Sequence, residues 1–254
     1  MKKGSLHIGT SGWYYDHWVG TFYPNDTKKN ERLAYYLRFF KTVELNSPFY
    51  RLPSPATFTK WAETVPKDFI FSVKGNRHIT HMKKLKVGKE DLAGFFDAVE
   101  SLEKKLGPIL FQLPPNWKVN TERLSHFLGL LPDRHRYTLE FRDPSWYAPA
   151  VYDLLRKHNI AFCQYELAGH RSPEEITASF VYIRLHGPGG KYQGNYPKET
   201  LRNWMVKCRE WQNMGKDVYL YFDNDEAGYA AFNARQLLAL AEPANVRKKR
   251  TKTS

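Results

Sequence analysis

Four residues able to move protons stand at the ends of short apolar runs: Glu44 in TVELN, Glu140 in TLEFRD, His186 in YIRLHG and Asp223 in YFDND. The same or similar runs carry the cations Lys74, Arg142 and Arg184 and the amides Asn46, Gln112 and Asn224. Two carboxylates flanking a bond act as acid and base, or one acts as nucleophile. A histidine moves protons near neutral pH. Guanidinium and ammonium groups hold phosphate or carboxylate. Trp13, Tyr50 and Trp146 offer ring faces for stacking on a sugar or a base. We therefore assign Glu44, Glu140, His186 and Asp223 as catalytic candidates. Trp13, Asn46, Tyr50, Lys74, Gln112, Arg142, Trp146, Arg184 and Asn224 are the substrate-binding candidates.

Three kinds of function fit this set. The first is acid/base hydrolysis of a sugar- or phosphate-containing substrate with Glu44 and Glu140 as the working pair. The second is phosphoester chemistry on a nucleic acid, with Lys74, Arg77, Arg142 and Arg184 on the phosphate and His186 as acid or base. The basic stretch KGNRHITHMKKLKVGK at 74–89, with His78 and His81, would track an anionic backbone. The third is an anion-, nucleotide- or nucleic-acid-binding protein without turnover. No cofactor is expected. His186, Asp223, Glu44 and Glu140 are ligand types for a divalent metal, but no H-E-x-x-H pattern is present and cations stand among them. The opening GTSGW lacks the spacing of a nucleotide-binding P-loop. Lys74 as a Schiff-base former and Cys163 as a nucleophile are weaker readings.

The elements that must position these groups alternate. Eight β-rich runs occur at Leu6–Gly9, Thr42–Asn46, Phe69–Lys74, Ile109–Leu113, Arg136–Phe141, Ala161–Gln164, Phe180–Leu185 and Val218–Phe222. Helical patterns fill most gaps, at 29–39, 54–64, 90–106, 121–131, 149–158, 199–214 and 227–240, with a reduced helix at 172–178. Ser54, Asn120 or Thr121, and Asn224 or Asp225 are expected to cap helices. Units of about 30 residues repeated eight times predict an α/β fold, a (β/α)8 TIM-type barrel in a single domain. In such a barrel the carboxyl ends of the strands carry the site. The period of two then turns Glu44, Asn46, Lys74, Glu140, Arg142, Arg184 and His186 inward, while Val43, Leu45, Leu139, Phe141, Ile183 and Leu185 face the helices. Trp146 is expected at the rim, where its loss would cost little stability.

The whole chain is basic, with 39 Lys and Arg against 26 Asp and Glu and a net charge of +13. Five of those positives lie in the last eight residues, leaving +8 for the body and favouring an anionic ligand. We read 1–242 as the barrel domain and 243–254 as a basic, solvated tail. Two cysteines without a C-x-x-C pair rule out a disulfide framework or a cysteine-built metal site. No apolar run nears bilayer length, and Met1–Gly12 lacks the apolar core of a secretory leader, so a soluble, cytoplasmic protein without membrane partners is expected. Oligomeric state is not legible.

Seven stretches together resemble a known family: HIGTSGWYYDHWVGTFYP, VELNSPFY, FSVKGNRHITH, LFQLPPNW, LEFRDPSW, YIRLHG and YFDNDEAGYAAFNA. In order and content they are similar to the YecE-like proteins, domain of unknown function seventy-two, from about residue 5 to 241. That resemblance implies a TIM-type barrel and marks Glu44, Asn46, Lys74, Gln112, Glu140, Arg142, Arg184, His186, Asp223 and Asn224 among its shared positions. It names no reaction.

Overall fold

A computed structural model describes residues 2–241. The tail expected at 243–254 lies outside the described residues. Eight strands follow the predicted runs: β1 (Leu6–Thr10), β2 (Thr42–Leu45), β3 (Ile70–Lys74), β4 (Leu106–Gln112), β5 (Tyr137–Glu140), β6 (Ala161–Leu167), β8 (Phe180–Leu185) and β9 (Asp217–Phe222). A ninth, β7 (His170–Arg171), pairs antiparallel with β6. The hydrogen-bonded order β1-β9-β8-β6-β5-β4-β3-β2 is the circular order of an α/β fold of the (β/α)8 TIM-barrel type. Helices α1 (Arg32–Tyr36), α2 (Ser47–Tyr50), α3 (Pro55–Thr64), α4 (Lys89–Val99), α5 (Thr121–Leu130), α6 (Pro149–Lys157) and α7 (Lys198–Asn213) lie between the strands, and α8 (Tyr229–Ala241) follows β9. Among the described residues no helix is long and apolar enough to cross a membrane.

Local sequence explains most boundaries. Ser54 caps α3 by accepting from the Thr57 N–H, with Pro55 in the first turn, and Asn120 caps α5 by accepting from the Arg123 N–H at 2.8 Å. Four expectations are corrected. The pattern at 29–39 splits into a 3-10 turn at Lys29–Glu31 and the short α1. The period at 90–106 breaks after Val99, where a 3-10 segment at Glu100–Lys105 passes through Glu103 at φ 52°. Lys105 ends that segment by donating to the Ala62 and Val65 carbonyls. No helix forms at 172–178. There Ser172 and Thr177 hydroxyls accept from the Tyr165 and Phe162 N–H groups at 2.8 and 2.7 Å, so side chains bind the edge of β6 in place of a helix. Asp225 and Asn224 do not cap α8, because the helix starts only at Tyr229, which leaves both residues upstream of its N-cap position.

The described residues fall into two compact units. The first comprises 2–40, 166–171 and 183–241 and the second 41–165 and 172–182. Each has its own apolar interior. In the first, Trp18, Tyr36, Phe40, Trp204 and Phe222 are buried; in the second, Phe58, Phe71, Phe111, Leu139 and Trp146 are.

Candidate functional site

In the unit of residues 41–165 and 172–182, β2 to β5 bring acids and cations to their carboxyl ends. Pairing sets the levels: Glu44 lies opposite Ser72, and Gln112 opposite Glu140. Glu44 is fully buried and accepts from the Tyr182 hydroxyl at 2.7 Å. Glu140 is equally buried. One of its carboxylate oxygens accepts from Nε of Arg142, and the Cys163 thiol points at the other from 3.7 Å. Both carboxylates thus have proton donors before any substrate arrives. The Arg142 guanidinium also lies 4.7 Å over the Tyr165 ring, and the Tyr165 hydroxyl meets that of Tyr147 at 2.9 Å. Burial pushes the Tyr165 phenol far above its ordinary range, so it stays protonated.

Lys74 ends β3 buried, with its ammonium 4.2 Å over the Phe49 ring. The other face of this group comes from a π-helical turn at His78–Met82. His81 meets Phe49 edge-on, and its Nδ1 lies 2.9 Å from the Thr80 hydroxyl. Its Nε2 has no hydrogen-bond partner among the described residues. Burial, and then the charges of Lys74, Arg77 and Arg142, hold the His81 imidazole below its usual pKa. Asn46 precedes α2, and Tyr50 at its end is exposed. Asn76 secures α2 from β3 by donating to the Pro48 carbonyl at 3.1 Å.

The first unit holds a second polar cluster. Arg184 and His186 lie two apart at the end of β8, both fully buried, with Arg184 Nη1 3.3 Å from His186 Nε2. In the neutral tautomer that accepts from Arg184 at Nε2, which arginine can only donate to, the ring proton stands on Nδ1 facing Asp223 Oδ2 at 3.0 Å. The same Asp223 oxygen accepts from Arg184 Nη2 at 3.0 Å. This Arg–His–Asp triangle brings Asp223, whose side strand parity alone left ambiguous, together with Arg184 and His186. Asn224 donates to the Gly194 carbonyl and to Asn233, and Asp225 accepts from the Trp18 indole at 2.6 Å and pairs with His17. Trp13 is buried in the same unit.

Trp146 is not a rim residue. It is fully buried, stacked on Phe141 at 4.9 Å, edge-on to Trp117 and donating to the Trp117 carbonyl at 2.6 Å. The run LEFRDPSW places it in the 3-10 turn Pro144–Trp146, where Asp143 accepts from the Ser145 N–H and folds the chain back onto β5. In the sequence His81 reads as one of two histidines in a basic loop. A histidine amid K-x-x-R and M-K-K was the available signal for its role beside Lys74. Among the described residues no group of three or more His, Cys, Asp or Glu side chains is arranged to hold a metal ion.

Comparisons with known proteins agree with this fold. The chain is 29% identical over 276 residues to UPF0759 protein YunF of Bacillus subtilis, covering 93% of this chain and 95% of that protein. It is 29% identical over 144 residues to UPF0759 protein YecE of Escherichia coli K12, of which the match spans 50%. Among solved structures it is similar to a DUF72 family protein of Thermotoga maritima, with a TM-score of 0.86 and 30% identity over 94% of this chain and 100% of that one. A DUF72 family protein of Enterococcus faecalis, at 19% identity over 92% of this chain and 94% of that one, shares the fold with a TM-score of 0.79. Residues 7–254 match the family described as Protein of unknown function DUF72, and the chain belongs to that family.

Proposed function

We propose that the protein is a hydrolase of phosphate-bearing substrates, binding the phosphoryl group at Lys74, Arg77 and Arg142 with His81 as the general base. The observation that carries this reading is the pairing of Lys74 and His81 on one ring: the Lys74 ammonium lies 4.2 Å over Phe49 and the His81 imidazole meets it edge-on at 5.0 Å, with burial and then the charges of Lys74, Arg77 and Arg142 holding that imidazole below its usual pKa. Such an arrangement costs free energy in the empty protein and is relieved when a dianion enters. It favours phosphate over a neutral sugar. Glu140, bonded to Arg142 Nε, orients the guanidinium, so it is a positioning residue. In the reaction a water oxygen bonds phosphorus as the ester P–O bond breaks. The water proton passes to His81 Nε2, and the cations stabilise the equatorial oxygens and the leaving oxygen. The leaving oxygen then takes its proton from solvent.

A second reading, anion binding without turnover, draws support from the carboxylates. Glu44 and Glu140 are buried and already engaged by Tyr182 and Arg142. One experiment separates the two. Rates are measured on phosphomonoesters, phosphodiesters including short oligonucleotides, and aryl glycosides, together with inorganic phosphate binding, for the wild type and His81→Gln. The hydrolase reading expects turnover of a phosphate ester, reduced by about 10²-fold or more in His81→Gln with phosphate binding largely kept. Phosphate binding with no turnover of any ester selects the binding reading. Glycoside turnover with no phosphate binding contradicts both.

A further inference from the structure

Arg32, the first residue of α1, is buried although its guanidinium is always charged. It makes one side-chain hydrogen bond, from Nη2 to Asp16 at 2.7 Å. Its Nε and Nη1 N–H groups are buried and have no partner among the described residues. The Asp16 side chain is 75% exposed, so the single carboxylate on Arg32 is held from the solvent side. Over the guanidinium, 5.0 Å away, lies the ring of Tyr14, itself more than half exposed. Lys29 stands 3.9 Å from Asp16 at the same edge.

A desolvated guanidinium with bare N–H groups on either side of one hydrogen bond is destabilising, and an apolar side chain would fill the space at lower cost. The donors account for themselves if an oxyanion reaches them. We propose that Arg32 forms the floor of a separate phosphate-binding site, covered by the Tyr14 ring and edged by Lys29. In the empty protein Asp16 stands in for the anion. When phosphate enters, Tyr14 swings outward and Asp16 leaves Nη2 for water. The two positive charges of Arg32 and Lys29 then match the two negative charges of the phosphate dianion. Nε and Nη1 gain charge-assisted hydrogen bonds. This site lies in the unit that does not contain Lys74, Arg77 and His81, and it does not rest on the reading given for them.

The test follows the Arg32 Nε–H resonance of the full-length chain by NMR during titration with inorganic phosphate, with sodium chloride holding ionic strength constant. The same titration is run on Lys74→Met, so that events at the other phosphate group are told apart. A saturable shift of the Arg32 Nε–H in both proteins is expected. Asp16→Asn, an exposed change that should leave folding intact, removes the competing carboxylate and is expected to tighten that transition by about tenfold. An Nε–H that does not respond to phosphate, that responds equally to chloride, or whose midpoint is unmoved by Asp16→Asn would overturn the proposal. Arg32→Met serves as the resonance-assignment control.

Discussion

Replacing Trp146 by alanine should destabilise the protein severely, although its place in a turn just past a strand end suggests a peripheral ring. The side chain is fully buried between Phe141, stacked at 4.9 Å and 14°, and Trp117, edge-on at 5.2 Å. A buried tryptophan removes about 200 Å² from water, and at ~25 cal/mol per Å² that corresponds to roughly 5 kcal/mol. Measured losses for buried aromatics truncated to alanine run about 3–5 kcal/mol. The indole N–H also satisfies the Trp117 carbonyl at 2.6 Å, so Trp146→Phe should keep the stack yet lose about 1–3 kcal/mol from the orphaned oxygen. Urea unfolding followed by far-UV circular dichroism measures both changes. For a chain of this size, ~3–5 kcal/mol lowers Tm by roughly 6–20 °C. A loss below about 1 kcal/mol for Trp146→Ala would refute the packing argument and return the ring to the rim.

Other consequences can be checked with the same protein. Burial pushes the Asp225 carboxyl up from 3.8 to about 6 against the Trp18 and His17 hydrogen bonds that lower it. The folded state then holds this proton more tightly than the unfolded chain, so the stability it confers is complete below about pH 3.8 and is lost as pH rises through about 6. The difference corresponds to ~3 kcal/mol, and Asp225→Asn should gain about that much relative to the wild type between pH 4 and 7, read from paired urea midpoints. His81 has the opposite sense: its imidazole is held below 6.5, so it weakens the fold as pH falls through 6.5 toward its folded value. Lys74→Met should therefore raise the His81 pKa part of the way back, leaving the burial contribution, in an NMR pH titration. Glu140→Gln should weaken phosphate binding by about tenfold through Arg142, with kcat at saturation falling far less than the orders of magnitude expected of an acid or base.

The barrel was legible because β-branched and aromatic runs recur at the βα spacing, and each of the eight predicted strands formed within a few residues of its place, β7 alone being unforeseen. Strand parity also succeeded where a run was long and alternating. Arg184 and His186 share a face, and Tyr182 on that same face reaches Glu44. What the pattern missed depends on contacts distant in sequence. The break after Val99 answers to backbone carbonyls near residues 62 and 65, more than 30 positions away. Hydroxyls of Ser172 and Thr177 replace a helix by binding β6, and no periodicity reports that. Trp146 reads as a loop aromatic until Trp117 and Phe141 are seen around it. His81 lies in a basic loop whose irregular π-helical turn, rather than any strand, carries it to Lys74, and a composition-based reading sees only charge.

The proposed function requires Lys74, Arg77 and Arg142 to hold a phosphate against His81. A phosphate titration of the His81 ring signals across pH tests it most directly. Bound dianion cancels the surrounding positive charge, so the His81 pKa should rise saturably with phosphate, and that rise should disappear in Lys74→Met. Ring signals and a pKa indifferent to phosphate, while those of Lys74→Met behave identically, would contradict the account.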